Sequence, residues 1–247
     1  MNGLIENSVN KDLITSQKLF KKSIDLLPKV QKNNPFLLRL YFNYARVIDE
    51  LEYNTDLIID AYKKSVKYHL KLKNPHGPTL MWSYYYIASL IHKSDSDCSK
   101  VESYYEKIIE IYNQTETPSD GLHFLYQRSN NGLRICNLEN KIKYAEYTFR
   151  YCKAYNLLNP DSVDYVVNQL LNYSIPNFLF NDKFNQTKEV LDFAESLMTN
   201  KKSVLYADLL YWFAWYYSDL EEFQKSVGYS LSAIDIYNQS LDKNHKK

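Results

Sequence analysis

Glycine is scarce in this sequence, with only five residues in 247, and proline contributes only seven. A many-stranded sandwich or barrel needs tight turns that a glycine-poor chain supplies poorly. No stretch alternates polar and apolar residues long enough to predict a strand. These shortages exclude most all-β architectures and leave long helices joined by short polar loops.

A charge excess of either sign is also missing, because 30 Lys and Arg residues face 29 Asp and Glu residues. Proteins dedicated to nucleic acids usually carry a clear basic excess, since neutralising phosphates supplies much of their affinity. The balanced charge therefore argues against nucleic-acid binding by this chain alone.

Long hydrophobic runs are absent as well. No apolar stretch approaches the roughly 20 residues that span a bilayer, and the first residues, MNGLIENSVNKDL, lack the basic cap and apolar core of a signal peptide. We expect a cytoplasmic protein that does not enter the membrane.

Motifs for catalysis or metal binding are not found. There is no glycine-rich phosphate loop, no G-x-S-x-G and no H-E-x-x-H, and no histidine pairs with cysteine or glutamate at a ligand spacing. A thiol in mid-helix, such as Cys152, is typical of a small core residue. We expect no enzyme activity, no catalytic residue, no metal and no cofactor.

What the sequence does contain is helical periodicity along almost its whole length. Apolar residues recur at helical spacing in eleven segments, separated by breakers such as Asn159-Pro160-Asp161. This pattern predicts an all-α fold. We expect a single domain over 1–247, with a capping helix in 1–33 and helical hairpins over 34–247.

Parts of the chain can be laid over each other. Residues 82–114 and 209–239 each contain an aromatic-rich helix with a central alanine, Ala88 or Ala214, and each ends on I-[ED]-I-Y-N-Q. A third copy carries Ala45 in the same place, and two further copies place Ser129 and Leu171 there. The implied period of about 40 residues is typical of helical repeat proteins.

These copies resemble the helical hairpins of tetratricopeptide (TPR) repeats, in which small residues let paired helices pack closely. Ala214, Ser226 and Ala233 match the three small positions of that family in the last copy. The resemblance implies a right-handed superhelical solenoid of about five antiparallel hairpins. Stacked hairpins bury a continuous core and curve around a groove lined by each first helix.

The register of the central small residues predicts which side chains line that groove. Offsets of −6, −3 and +1 select mainly aromatic, amide and arginine side chains on the exposed side of each first helix. Tyr165 and Asp208 also lie at these offsets. Amides can both donate to and accept from a peptide backbone, and arginines can clamp a carboxylate. The candidate peptide-binding residues are Arg39, Arg46, Tyr85, Tyr126, Asn130, Asn168, Asn172, Tyr211 and Trp215.

Within that group the chain looks most like the peptide-sensing domain of bacterial quorum-sensing regulators (RRNPP, Rgg-like and Rap-like). The resemblance implies a regulatory receptor that holds a short signalling peptide in its groove and forms a homodimer, as part of transcriptional regulation. Most members carry a helix-turn-helix ahead of the repeats, whereas the first helix of this chain is expected to join the solenoid, so we expect DNA binding only if the chain is a fragment of a longer regulator. The alternative is a TPR-like scaffold or co-chaperone that binds a protein partner without a small peptide.

Overall fold

The computed structural model describes residues 9–30, 36–72, 77–94 and 98–245. Within these ranges the chain is helical and contains no strand. The helices are α1 Val9–Val30, α2 Phe36–Glu50, α3 Thr55–His69, α4 Pro78–Ser94, α5 Glu102–Asn113, α6 Asp120–Cys136, α7 Lys141–Leu158, α8 (163–179, in three segments), α9 Phe184–Leu197, α10 Val204–Asp219 and α11 Phe223–His245.

The all-α prediction is confirmed, and the described residues contain eleven helices when α8 is counted once. The predicted capping segment 1–33 contains α1, while residues 1–8 and 31–33 lie outside the described part of the chain. No helix among the described residues is long and apolar enough to cross a membrane.

Helix α8 changes its winding in the middle. It runs as an α-helix over Val163–Gln169, widens to a π-helix over Leu170–Ser174, and returns to α-helix over Ile175–Leu179. Pro176 has no backbone N–H to give to the carbonyl of Asn172 and its ring would crowd that carbonyl. The π segment, closed by the N–H of Ile175 on the carbonyl of Leu170, accommodates the proline without ending the helix.

Three hairpin turns share one backbone conformation. Glu52, Asp182 and Glu221 follow α2, α8 and α10, and all three have positive φ, between 55° and 59°. In each turn this residue donates to a carbonyl three residues back, and the next residue donates to a carbonyl five back, as Tyr53 does to Ile48 at 3.0 Å. This is a Schellman turn with an acidic residue where glycine is usual.

The shared turn corrects the repeat register. Glu52 lies seven residues after Ala45, and Glu221 seven after Ala214. Counting seven residues back from Asp182 gives Ile175. The central position of the fourth copy is therefore Ile175, and the prediction of Leu171 is corrected. Leu171 and Ile175 are four residues apart, about one helical turn, so the periodic pattern of the sequence places both on nearly the same side of the helix and does not separate them.

Contacts between Cα atoms divide the chain into two compact units, Met1–Leu125 and Tyr126–Lys247. In the first unit neighbouring helices pack in chain order from α1 to α5. Its core holds Ala45, Ile48, Ala61, Tyr62 and Ile87, all buried. The small Ala45 and Ala88 are fully buried, so helices approach closely at these points.

The second unit has a larger core over α7 to α11. It includes Phe149, Val166, Leu191 and Phe213, and α10 packs extensively along α11. Ala214 and Ala233 are buried at that contact, and Ser226 is half-buried. Asn140 and Ser203 cap the N-termini of α7 and α10 with side-chain oxygens.

Candidate functional site

An exposed surface of α8 and α10 carries large aromatic side chains together with amides. We call it the aromatic–amide face and define it by Tyr165, Asn168, Asn172, Phe180, Tyr211 and Trp215. Tyr165, Tyr211 and Trp215 are 41%, 47% and 42% exposed, and Phe180 is 63% exposed. Large apolar rings grouped on a surface in this way commonly mark a binding site.

Ring contacts join the two helices of this face. The ring of Phe180, just after α8, lies 6.1 Å from that of Trp212 and 6.2 Å from that of Trp215. Tyr211 and Trp215, one turn apart on α10, have ring centroids 6.2 Å apart in an edge-to-face arrangement. These contacts hold the rings in place before any ligand arrives, which lowers the entropy lost on binding.

The two asparagines present polar atoms on the exposed side of α8. The Nδ2 of Asn168 donates to the carbonyl of Asp164 at 2.8 Å, and that of Asn172 donates to the carbonyl of Asn168 at 2.8 Å. Each bond fixes the side chain and uses one of its two N–H groups. The second N–H and the Oδ1 of each exposed amide can pair with a peptide backbone.

Arg134 lies beside this face, near the end of α6. Its Nη1 donates to Oε1 of Gln169 at 3.0 Å, and its Nη2 donates to Oδ1 of Asn131 at 2.9 Å. The guanidinium carbon lies 5.0 Å from the ring centre of Tyr151 and 5.9 Å from that of Tyr144. Since Gln169 follows Asn168 on α8, this arginine is attached to the same helix as the amides.

The tyrosines around Arg134 are linked to each other and stay neutral. The hydroxyls of Tyr151 and Tyr165 are 3.2 Å apart, and the rings of Tyr144 and Tyr173 pack edge to face at 5.8 Å. Burial, and then the hydrogen bond with Tyr165, raises the pKa of Tyr151. Burial also raises the pKa of Tyr144, so neither ring carries a negative charge at neutral pH to cancel the arginine.

In the first unit, two of the three predicted groove residues contact a neighbour on their own helix. Arg46 is half-buried and forms an ion pair with Glu50 on the same helix, at 3.9 Å. Tyr85 is half-buried against Trp82, with ring centroids 6.0 Å apart. Arg39 is exposed.

One prediction of exposure is wrong. Asn130 is fully buried, and its Nδ2 donates to the carbonyl of Tyr126 at 2.8 Å. Tyr126 itself is half-buried, and burial raises its pKa. Buried residues occur on several sides of α6, among them Gln127 and Leu133, so this helix does not offer the exposed stripe that the register predicted.

Asp208, which the register also placed in the groove, accepts a short hydrogen bond from the hydroxyl of Tyr237 on α11. It therefore ties α11 to α10. Cys152 is a free thiol with no exposed surface, and burial raises its pKa to about 12. The thiol stays protonated, as a core residue would.

Sequence reasoning missed Arg134, Gln169 and Phe180. Phe180 lies in the run NFLFND, directly after the end of α8 and two residues before Asp182 of the Schellman turn. Arg134 and Gln169 are 35 residues apart, and no local pattern reports such a contact.

Comparisons with known proteins do not name a family. No family model matches the chain, and no curated protein matches it. A solved structure described as BtubC (BKLC) from P. vanneervenii is similar at 14% identity, with 92% of each chain covered and a TM-score of 0.44. We take neither function nor partner from this likeness.

Proposed function

We propose that this chain is a cytoplasmic receptor that binds a short peptide on the aromatic–amide face of α8 and α10. The observation that carries the proposal is the cluster of exposed rings in which Trp215 contacts Phe180 and Tyr211, together with two fixed, exposed amides on α8. Aromatic rings are the commonest source of binding energy in protein interfaces, and amides are suited to a peptide backbone.

The shape and composition of the face favour a short, mainly apolar peptide. Rings fixed on α10 offer apolar area for two or three side chains, while Asn168 and Asn172 lie one helical turn apart and offer paired polar contacts. A right-handed superhelical arrangement of the hairpins, as the repeats predict, would curve this face into a groove. A peptide bound across α8 and α10 would then change the packing of neighbouring hairpins. We propose this coupling as the mechanism of peptide-dependent regulation, in quorum sensing.

The scaffold or co-chaperone hypothesis has weaker support. A two-carboxylate clamp needs regularly placed cationic and amide side chains, and Arg46, its main candidate here, is already paired with Glu50. A folded partner protein bound in the absence of any peptide would be the result that favours it.

Native mass spectrometry tests the proposal directly. The protein is mixed with a pool of hydrophobic heptapeptides, and the masses of its complexes are recorded for the wild type and for Trp215→Ala. We expect an added peptide mass on the wild type and a roughly tenfold loss in the variant, equivalent to about 1.4 kcal/mol. Homodimerisation stays a prediction of the sequence, and the same spectra report it.

Tyr53→Ala is the matched control, because Tyr53 is 43% exposed in the α2–α3 turn, away from α8 and α10 along the chain. It should bind the pool as the wild type does. A wild type that adds no peptide, or a Trp215→Ala variant that binds equally well, would contradict the proposal.

A further inference from the structure

In the described part of the chain Arg134 has no acidic partner, unlike two other arginines. Arg46 pairs with Glu50 and Arg150 with Glu146, each one helical turn away. Arg134 has only neutral acceptors, the side-chain oxygens of Gln169 and Asn131. Among the described residues no carboxylate lies within ion-pair distance of its guanidinium.

The guanidinium is nevertheless fixed in position. Two amide oxygens hold Nη1 and Nη2, and the rings of Tyr144 and Tyr151 lie on its faces, where a cation is favoured. A half-buried positive charge without a counter-ion costs free energy. An anion that binds here stabilises the positive charge, and no entropy is lost in ordering the side chain because it is already fixed.

The remaining hydrogen-bond capacity fits a carboxylate. A guanidinium has five N–H groups, and the two recorded bonds use two of them. The three N–H groups that remain lie in the plane of the guanidinium, and charged donors of this kind bind carboxylate oxygens strongly. The surrounding tyrosine hydroxyls are neutral, as argued above, so they do not repel it.

We infer that Arg134 is a carboxylate-binding position for the ligand of the aromatic–amide face. The inference rests on the proposed function, because the neighbouring face is what would deliver the carboxylate. Gln169 joins Arg134 to α8 directly after Asn168, and Tyr165 belongs to the face and contacts the hydroxyl of Tyr151. A peptide lying along α8 therefore has its C-terminus, or an acidic side chain, within reach of the guanidinium.

The two sources of carboxylate are separated by three peptide pools. One pool contains heptapeptides without Asp or Glu and with a free C-terminus, the second is the same pool amidated, and the third is amidated with one Glu per peptide. We expect the first or the third pool to bind at least about tenfold more than the second. That preference should disappear in Arg134→Gln and be retained in Arg46→Gln, the matched control.

A second measurement does not depend on the pools. The Nε–H signal of Arg134, assigned by its loss in Arg134→Gln, is followed by NMR during titration with N-acetylphenylalanine, with N-acetylphenylalaninamide, and with inorganic phosphate. We expect only the carboxylate compound to move this signal. Arg134→Lys keeps the charge but loses the planar guanidinium, so it should keep only part of the preference for free acids.

The outcomes separate this inference from the proposed function. An Arg134 signal that ignores N-acetylphenylalanine overturns the carboxylate site, even if peptides bind in a Trp215-dependent way. A signal that moves equally with phosphate overturns the assignment to carboxylate. Pools that fail to bind while the carboxylate compound still moves the signal overturn the peptide receptor and leave the carboxylate site standing.

Discussion

Two clusters of aromatic side chains, one in each unit, differ in their exposure. In the first unit Phe42, Tyr62, Trp82, Tyr85, Tyr86 and Phe124 contact one another ring to ring, and all of them are buried or half-buried. In the second unit Tyr165, Phe180, Tyr211 and Trp215 are exposed. Similar residues on first helices therefore serve packing in one unit and present a surface in the other.

The difference depends on what the neighbouring helices provide. In the first unit Tyr62, on the second helix of its hairpin, stacks on Tyr86 at 5.1 Å and meets Phe42 edge to face at 5.8 Å. Its hydroxyl is buried without a hydrogen-bond partner among the described residues. In the second unit Phe213 and Tyr229 stack inside, 5.0 Å apart, and the rings one or two positions away on α10 turn outwards.

The largest expected difference between the units is in the free energy of unfolding that is lost when a tryptophan is replaced by alanine. Trp82 contacts Tyr86 and Phe124, at 5.6 and 6.3 Å, so Trp82→Ala should lower the free energy of unfolding by about 2–3 kcal/mol. Trp215→Ala should lower it by about 1 kcal/mol or less, since the side chain is 42% exposed. Urea unfolding followed by far-UV circular dichroism measures both, and equal losses would remove the distinction between the units.

Overpacking the small central positions tests what the units share. Ala45 and Ala214 are buried at equivalent places before the same turn. Leucine at either position should lower the free energy of unfolding by about 1–3 kcal/mol, because the helices cannot separate without losing contacts. The measurement is again urea unfolding.

Gly228→Ala on α11 is the control for added volume. A Cβ at this position meets no atom within 4 Å, so alanine should stabilise the helix by about 0.5–1 kcal/mol. If Ala214→Leu proves as harmless as this change, the packing assigned to α10 and α11 is wrong.

Much of this fold was predictable from local pattern, since helical periodicity alone located all the helices in the described residues. The register of the fourth copy was not, because Leu171 and Ile175 lie about one helical turn apart and periodicity alone does not separate them. The burial of Asn130 and the pairing of Arg134 with Gln169 depend on contacts between helices. Local offsets along each helix placed Asn168, Asn172, Tyr211 and Trp215 on an exposed side. Arg134 was overlooked because its position depends on a contact with another helix.

A smaller effect is expected at Asn172. Its Nδ2 is held by the carbonyl of Asn168 and the side chain is exposed, so Asn172→Ala should leave the melting temperature unchanged. Binding of the peptide pool should fall about fivefold, the loss of one hydrogen bond or slightly less. Native mass spectrometry gives the bound fraction, and Asn185→Ala, an exposed asparagine on α9, should leave it unchanged.

The smallest effect concerns a pH dependence confined to the first unit. Burial raises the pKa of Asp49, and Lys93 offsets this in part. Because the folded-state pKa lies above the unfolded value, the folded chain binds this proton more tightly, and stability falls as pH rises through the two values. Asp49→Asn should therefore raise the melting temperature at pH 7, and the gain should vanish near pH 3.

The exposed Asp235 on α11 provides the control, since Asp235→Asn should change the melting temperature at neither pH. A gain for Asp49→Asn that persists at pH 3 would show that the charge of Asp49 is not its cause.

The three tryptophans allow the central claim to be tested in one experiment, since Trp82 lies in the first unit and Trp212 and Trp215 in the second. The protein is labelled with 5-fluorotryptophan, its three 19F NMR signals are assigned by Trp→Phe variants, and the hydrophobic peptide pool is added. If the aromatic–amide face binds peptide, the Trp215 signal moves, that of Trp212 follows through their shared contact with Phe180, and that of Trp82 stays in place. A shift at Trp82 with Trp215 unchanged, or no shift at any of the three, would contradict the account.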